Sequence, residues 1–146
     1  MDIKRLAIGT IVGAITWQIV NYLIAGILLA DFYAANLGSA TGVFRDEVLQ
    51  GWVALGCLPL GALLTWCIER RESAPTIANG FVTGALVSFA VWFHADFVIY
   101  GFTNIFNLTL TFADSVLSGV SGAVAGAVIA AVLARIPKGA GLQAAE

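Results

Sequence analysis

Three polar residues interrupt one of the longest apolar stretches of this 146-residue chain. The stretch V-W-F-H-A-D-F-V-I-Y-G-F-T-N, residues 91–104, contains His94, Asp96 and Asn104. A charged side chain in hydrocarbon costs about 2.5–3.5 kcal/mol on insertion scales, so such residues usually pair with a partner or carry a function. Asp96 is therefore the first candidate for binding a proton or a cation.

A polar stripe accompanies Asp96, and a second one occurs near the N-terminus. With a rise of about 1.5 Å per residue, Gln18 and Asn21 lie roughly 18 and 22 Å above Leu6, and His94 and Asp96 roughly 20 and 22 Å above Phe81. These depths predict a polar layer between the first and third helices, in which Gln18 or Asn21 holds Asp96. The residues at four-residue steps on the third helix are Ser88, Trp92, Asp96, Tyr100 and Asn104.

His94 and Asp96 do not form a simple dyad, because residues two apart on a helix point about 200° apart. If Asp96 faces the bundle, His94 faces another helix, lipid or a partner. Two readings of Asp96 stay open: it is solvated if its helix ends near Tyr100, and buried if the helix continues to about Phe106. A lone His cannot complete a metal site, and we predict no metal, cofactor or catalytic residue.

The composition excludes a soluble globular domain. Hydrophobic residues make up 60% of the chain and charged residues 11%, against about 45–50% and 25% in soluble domains. The net charge of −2 and the lack of a basic cluster exclude a nucleic-acid partner. The lipid bilayer is the partner that this composition implies.

Four uncharged runs predict an all-α, four-helix transmembrane bundle in one domain, residues 1–146. Each run has 20 to 25 residues, and a membrane helix needs about 17–25. The first is too long for the apolar region of a signal peptide, so we read it as a retained helix. Asp114 or Ser115 is expected to cap the last helix, after an outer connection. The predicted helices are approximately 6–30, 51–68, 80–102 and 115–135.

The basic residues predict the orientation. Six of the seven would lie on one side of the membrane: Lys4, Arg5, Arg70, Arg71, Arg135 and Lys138. Only Arg45 would lie on the other side, in a long segment, residues 31–51, expected to rest on the membrane surface. The positive-inside rule therefore places both termini in the cytoplasm, an N-in/C-in arrangement.

Small residues recur at helical spacing in three of the four runs. Such residues let helix backbones approach closely in a membrane, either within one bundle or toward a second copy. The candidates for helix packing are Gly9 and Gly13 on the first run, Gly80 and Gly84 on the third, and Ser118, Gly122 and Gly126 on the fourth. G-T-I-V-G-A (9–14) resembles G-F-V-T-G-A (80–85). This similarity has two explanations, which stay open: a duplication that gives two hairpins related by a parallel repeat, or chance in a composition rich in Gly and Ala.

One string, Y-G-F-T-N-I-F-N-L-T-L-T-F-A-D-S-V-L-S-G, resembles a motif of small bacterial four-helix integral membrane proteins of unknown function. F-Y-A-A-N-L-G (32–38) is similar to the aromatic end of that family's first helix. Gly101 stands where the family has an Asp, and the resemblance implies no activity. The matching positions are Tyr100, Thr103, Asn104, Thr109, Leu110, Asp114 and Gly119.

Three functions from different classes follow from these features. The favoured one is a non-enzymatic accessory or structural subunit, or a homo-oligomeric bundle, whose polar layer sets the helix register. The alternative is a small proton-, ion- or solute-transporting protein that uses Asp96. An intramembrane enzyme is the least favoured, because neither a nucleophile–base pair nor a cofactor motif occurs.

Overall fold

The structure, a computed structural model, describes residues 2–71 and 74–137. All regular secondary structure in these residues is helical, and four stretches are long and apolar enough to cross a membrane. A π-helix, Tyr22–Leu28, continues the first helix directly, so together they form one span. The α-helices are α1 (Ile3–Asn21), α2 (Ala30–Ala35), α3 (Gln50–Glu69), α4 (Ile77–Phe102) and α5 (Leu108–Leu133).

Side-chain caps fix the starts of three of these helices. Asp2 accepts hydrogen bonds from the backbone N–H groups of the first turn of α1, and Thr76 does the same for α4. Asn107 accepts from the backbone N–H of Leu110 at the start of α5. Each cap satisfies a donor that has no partner within the helix itself.

The last helix begins seven residues earlier than the predicted start at residue 115, which corrects that expectation. Asn107 caps it, and Asp114 lies two turns inside it, where its carboxyl accepts from a tyrosine of α2. α4 ends at Phe102, between Tyr100 and Phe106, the two ends considered for the solvation of Asp96. The uncharged run was a poor guide here, because Asp114, the charge that interrupts it, lies inside the helix.

α5 is the central helix of the bundle. It packs closely against α4, from Asp96 beside Ser115 to Gly80 beside Gly126, and it also contacts α1 and α3. The remaining large interface joins α1 and α3. The shared apolar core is formed by side chains that are fully or almost fully buried: Ala14, Trp17, Cys57, Leu64, Ile68, Ala125, Ile129, Ala130 and Leu133.

Small residues lie where the helices approach most closely. A Cβ added to Gly80 or Gly84 would overlap the backbone of α5, and a Cβ added to Gly122 or Gly126 would overlap α4. On α1, a Cβ on Gly9 would overlap Thr65, and one on Gly13 would overlap Ile129. All seven predicted packing residues, including Ser118, are buried inside this single chain: Gly9, Gly13, Gly80, Gly84, Ser118, Gly122 and Gly126.

The bundle has two distinct ends. At one, which we call the Arg5 end, the starts of α1 and α4 meet the last turns of α3 and α5. At the other, the α2 end, irregular segment 36–49 runs beside the connection 103–107. Gly38 N donates to Ile105 O at 2.7 Å, and a Cβ on Gly38 would overlap Asn104 O. Lys138 lies outside the described residues.

Candidate functional site

Asp96 is a buried carboxyl group at the α2 end of the interface between α4 and α5. Its side chain is 1% exposed, and its Oδ2 accepts a hydrogen bond from the Ser115 hydroxyl at 2.8 Å. The same hydroxyl also lies 3.0 Å from the Thr111 carbonyl oxygen. Asp96 is therefore buried, as one of the two sequence readings requires, and its partner is on the next helix along the chain.

A second carboxyl group adjoins Asp96. Asp114, one residue before Ser115 on α5, lies within hydrogen-bonding reach of Asp96 and accepts from the Tyr33 hydroxyl at 2.5 Å. Tyr33 is on α2, so this bond fastens the short helix to the bundle. We call Tyr33, Asp96, Asp114 and Ser115 the carboxyl cluster.

The chemistry of the carboxyl cluster follows from its donors and acceptors. Tyr33 lies outside the four stretches that could cross a membrane, and burial together with its bond to Asp114 raises the pKa of its phenol above the usual range. It therefore stays a neutral donor. Two adjoining carboxyl groups can hold one proton between them or offer oxygen ligands to a cation. The cluster can thus act either as a structural lock or as a proton or cation site.

The other predicted polar residues do not join the carboxyl cluster. Gln18 donates to Gln50 of α3 at 3.5 Å, and Asn21 lines a cavity beside α3. The predicted pairing of Asp96 with either residue is therefore corrected: among the described residues, its hydrogen-bonding neighbours belong to α5. The physical reason is packing, because small residues draw α4 onto α5 and leave little contact between α4 and α1.

Three further candidates lie on the surface of the bundle. His94 is exposed among the phenylalanines on the outside of α4, opposite to Asp96, as their two-residue separation requires. Tyr100 is 39% exposed. Asn104 is exposed in the connection to α5, where its backbone oxygen accepts from Ala40 N at 3.0 Å.

Arg5 forms a polar site that the sequence analysis counted only as a topology signal. It is 2% exposed, and its Nη2 and Nε lie 2.7 and 3.1 Å from the two carboxylate oxygens of Glu69. Its Nη1 donates to the carbonyl oxygens of Leu133 and Ile136, at the end of α5. The signal in the sequence was weak: Arg5 directly precedes the first apolar run, and Glu69 directly follows the second.

No group of three or more His, Cys, Asp or Glu side chains placed to hold a metal occurs within residues 2–71 and 74–137. Cys57 and Cys67 are free thiols on α3. Comparison of the chain with family models, with curated proteins and with solved structures gave no match. The resemblance of Tyr100–Gly119 to small bacterial membrane proteins stays a prediction, and function has to be inferred from the geometry of this chain.

Proposed function

We propose that the chain is a non-enzymatic, multi-pass integral membrane protein with both termini in the cytoplasm, acting as an accessory subunit or as a homo-oligomer. In this arrangement the Arg5 end faces the cytoplasm. Arg45 then lies on the opposite side, in agreement with the distribution of basic residues. The segment 36–49 and α2 cover the outer end of the bundle.

One observation carries this proposal: the most deeply buried charged groups join helices to each other. Arg5 connects α1, α3 and α5 at one end, while Asp96 and Asp114 connect α4, α5 and α2 at the other. Removing one partner of a buried ion pair costs about 3–5 kcal/mol, so the contact between Arg5 and Glu69 weighs heavily in stability. The hydrogen bonds of Asp96 and Asp114 contribute less and fix how the helices are placed. Such an arrangement suits a rigid membrane scaffold.

The outward surface supports association with another protein. Most residues of α1, α3 and α4 are at least partly exposed, on surfaces that are almost entirely apolar, whereas α5 is much more deeply buried. On the outer face of α4, His94 lies among Phe89, Phe93 and Phe97. A subunit contact there would give His94 a partner in place of lipid.

The mass of the purified particle tests this proposal. After mild detergent extraction, light scattering is expected to give a protein mass of at least twice 15.3 kDa, or a stable complex with another membrane protein. Crosslinking in intact membranes should trap the same species, which excludes association caused by the detergent. A monomer in both experiments, with nothing co-purifying, would contradict the proposal.

A second candidate function, proton or cation transport, is favoured by the adjoining carboxyl groups of Asp96 and Asp114. The groups that face Asp96 are Asp114 and Ser115 of α5, with Tyr33 of α2 beyond them. In proteoliposomes, a carrier of this kind should dissipate a pH gradient, and Asp96→Asn should abolish the flux while His94→Gln, on the outside, preserves it. Absence of flux with the wild-type chain rules this candidate out.

A further inference from the structure

A cavity of about 520 Å³ lies between α1, α3 and α4, away from the carboxyl cluster. Its volume falls in the range typical of sites for small molecules, about 300–1,000 Å³. It lies where α4, which packs mainly on α5, makes fewer contacts with α1 and α3. The wall residues are Trp17, Asn21, Trp52, Val53, Gly56, Cys57, Pro59, Leu60, Leu63, Val91 and Trp92.

The cavity is elongated and open on one side. Its lining on α3 extends from Trp52, two residues into the helix, to Leu63, which corresponds to about 16 Å along the helix axis. Trp52 is 72% exposed, and Val53 and Val91 are also exposed, so the cavity opens to the surrounding membrane between α3 and α4. Its long axis follows the helices, as a lipid chain in a bilayer does.

One unpartnered polar side chain interrupts the apolar wall. Within the described parts of the chain, the Asn21 amide, which lines the cavity, has no hydrogen bond, whereas the unpaired indole nitrogens of Trp17 and Trp92 are buried and cannot be reached from the cavity. The two indoles stack with their ring centres 5.6 Å apart. A donor left without a partner in hydrocarbon is costly, so an oxygen acceptor at this level would be stabilised.

The backbone changes at the same place. The α-helix of α1 ends at Asn21, and the π-helix begins at Tyr22. Single π turns inside helices occur frequently at functional sites, and seven residues of π-helix are unusual. This second feature, independent of the cavity wall, marks the turn that carries the Asn21 amide.

We propose that this cavity is a binding site for one phospholipid, with an acyl chain lying along α3 and an ester carbonyl accepting a hydrogen bond from Asn21. A phospholipid matches the site in shape, since its polar end lies at the interface beside Trp52 and its chain extends toward Leu63. Apolar contact alone would not select it from bulk lipid, because hydrocarbon offers no hydrophobic gain over the bilayer. The Asn21 amide supplies the selectivity.

Gly56 offers a way to fill the cavity without disturbing the bundle. It lines the cavity, and a Cβ added there meets no atom within 4 Å, so Gly56→Phe introduces a ring at the wall without a backbone clash. Gly51 is the matched control: it lies on the same helix, also has open space, and does not line the cavity. Asn21→Leu removes the polar contact and keeps a similar volume.

Native mass spectrometry of the full chain, titrated with palmitoyl-oleoyl phosphatidylethanolamine, tests the proposal. The wild type and Gly51→Phe should each retain one phospholipid, Gly56→Phe should bind at least about tenfold more weakly, and Asn21→Leu about two- to tenfold more weakly. Equal retention by all four proteins would overturn the proposal. So would a wild type that retains no phospholipid, or one that retains a different amphiphile, such as a prenylated quinone, in its place. If thermal unfolding shows that Gly56→Phe is misfolded, the proposal is tested by comparing phospholipid binding of Asn21→Leu with that of the wild type, and equal binding overturns it.

Discussion

Arg5 and Glu69, 64 residues apart in the sequence, form a buried two-point ion pair at one end of the bundle. The guanidinium uses Nε and Nη2 for the carboxylate and Nη1 for the carbonyl oxygens of Leu133, the last residue of α5, and of Ile136 just beyond it. The Arg5 side chain thus joins the start of α1 to the ends of α3 and α5. The planar fork of arginine suits this arrangement, and a lysine would not reproduce it.

Replacing Arg5 should therefore destabilise the protein strongly. Arg5→Leu leaves the Glu69 carboxylate buried without its partner, which we expect to lower the free energy of unfolding by about 3–5 kcal/mol. Lys4→Leu is the control, because Lys4 precedes Arg5 and is exposed. Denaturant titration of both variants in detergent measures the difference. Equal stability of the two variants would show that the ion pair contributes nothing.

The tight contact between α4 and α5 should not tolerate bulk. Gly122→Leu and Gly126→Leu would force the backbones apart, since even a Cβ would overlap Ser88 or the backbone of α4. Gly101→Leu, where a Cβ meets no atom within 4 Å, should be neutral. Thermal unfolding of the three variants tests this expectation. If Gly122→Leu is as stable as the wild type, this face of α5 contacts lipid and not α4.

The length of the apolar runs was enough to predict four helices that are long and apolar enough to cross a membrane, because a membrane leaves the backbone few other structures. Helix ends were harder to predict. Asn107 is an ordinary capping residue, but the same run of Asn and Thr is equally compatible with a loop, so the start of α5 was placed too late. The π-helix at Tyr22–Leu28 has no local signal in the sequence.

Asp96 was identified as a candidate because a charge in hydrocarbon is costly, whereas its predicted partners, Gln18 and Asn21, were wrong. Depth along a helix axis says which groups lie at one level, and it does not say which helices are neighbours. The packing of α4 against α5 is determined by glycines at their closest approach: Gly80, Gly84, Gly122 and Gly126. Arg5 was missed as a structural group because burial depends on the ends of α3 and α5, which are distant in sequence.

Substitutions of Asp96 should distinguish a structural lock from an essential charge. Asp96→Asn should keep stability within about 1 kcal/mol of wild type, because an amide oxygen can still accept from Ser115. Asp96→Ala should also cost little, since the Ser115 hydroxyl retains the Thr111 carbonyl. Unfolding titrations of both variants, with Ser115→Ala for comparison, measure this. A loss of several kcal/mol in Asp96→Asn would contradict the structural account.

Tyr33 should make stability depend on alkaline pH. Its folded-state pKa is raised, so the bond to Asp114 contributes fully below about pH 10, the ordinary value for tyrosine, and is lost as the pH rises further. Tyr33→Phe should be less stable than the wild type at pH 8, by about 0.5–1.5 kcal/mol, and the gap should narrow above pH 10. Tyr22→Phe, at an exposed position, is the control. A constant gap across this range would exclude the role given to Tyr33.

Reporter fusions test the four-span arrangement most directly. A reporter that is active only in the cytoplasm, attached at the C-terminus, should be active, because four crossings and the six-to-one division of basic residues place that end inside. The same reporter inserted in segment 38–47 should be inactive, and a reporter specific for the outer side should be active there. A C-terminus on the outer side of the membrane would contradict the four-helix, N-in/C-in bundle.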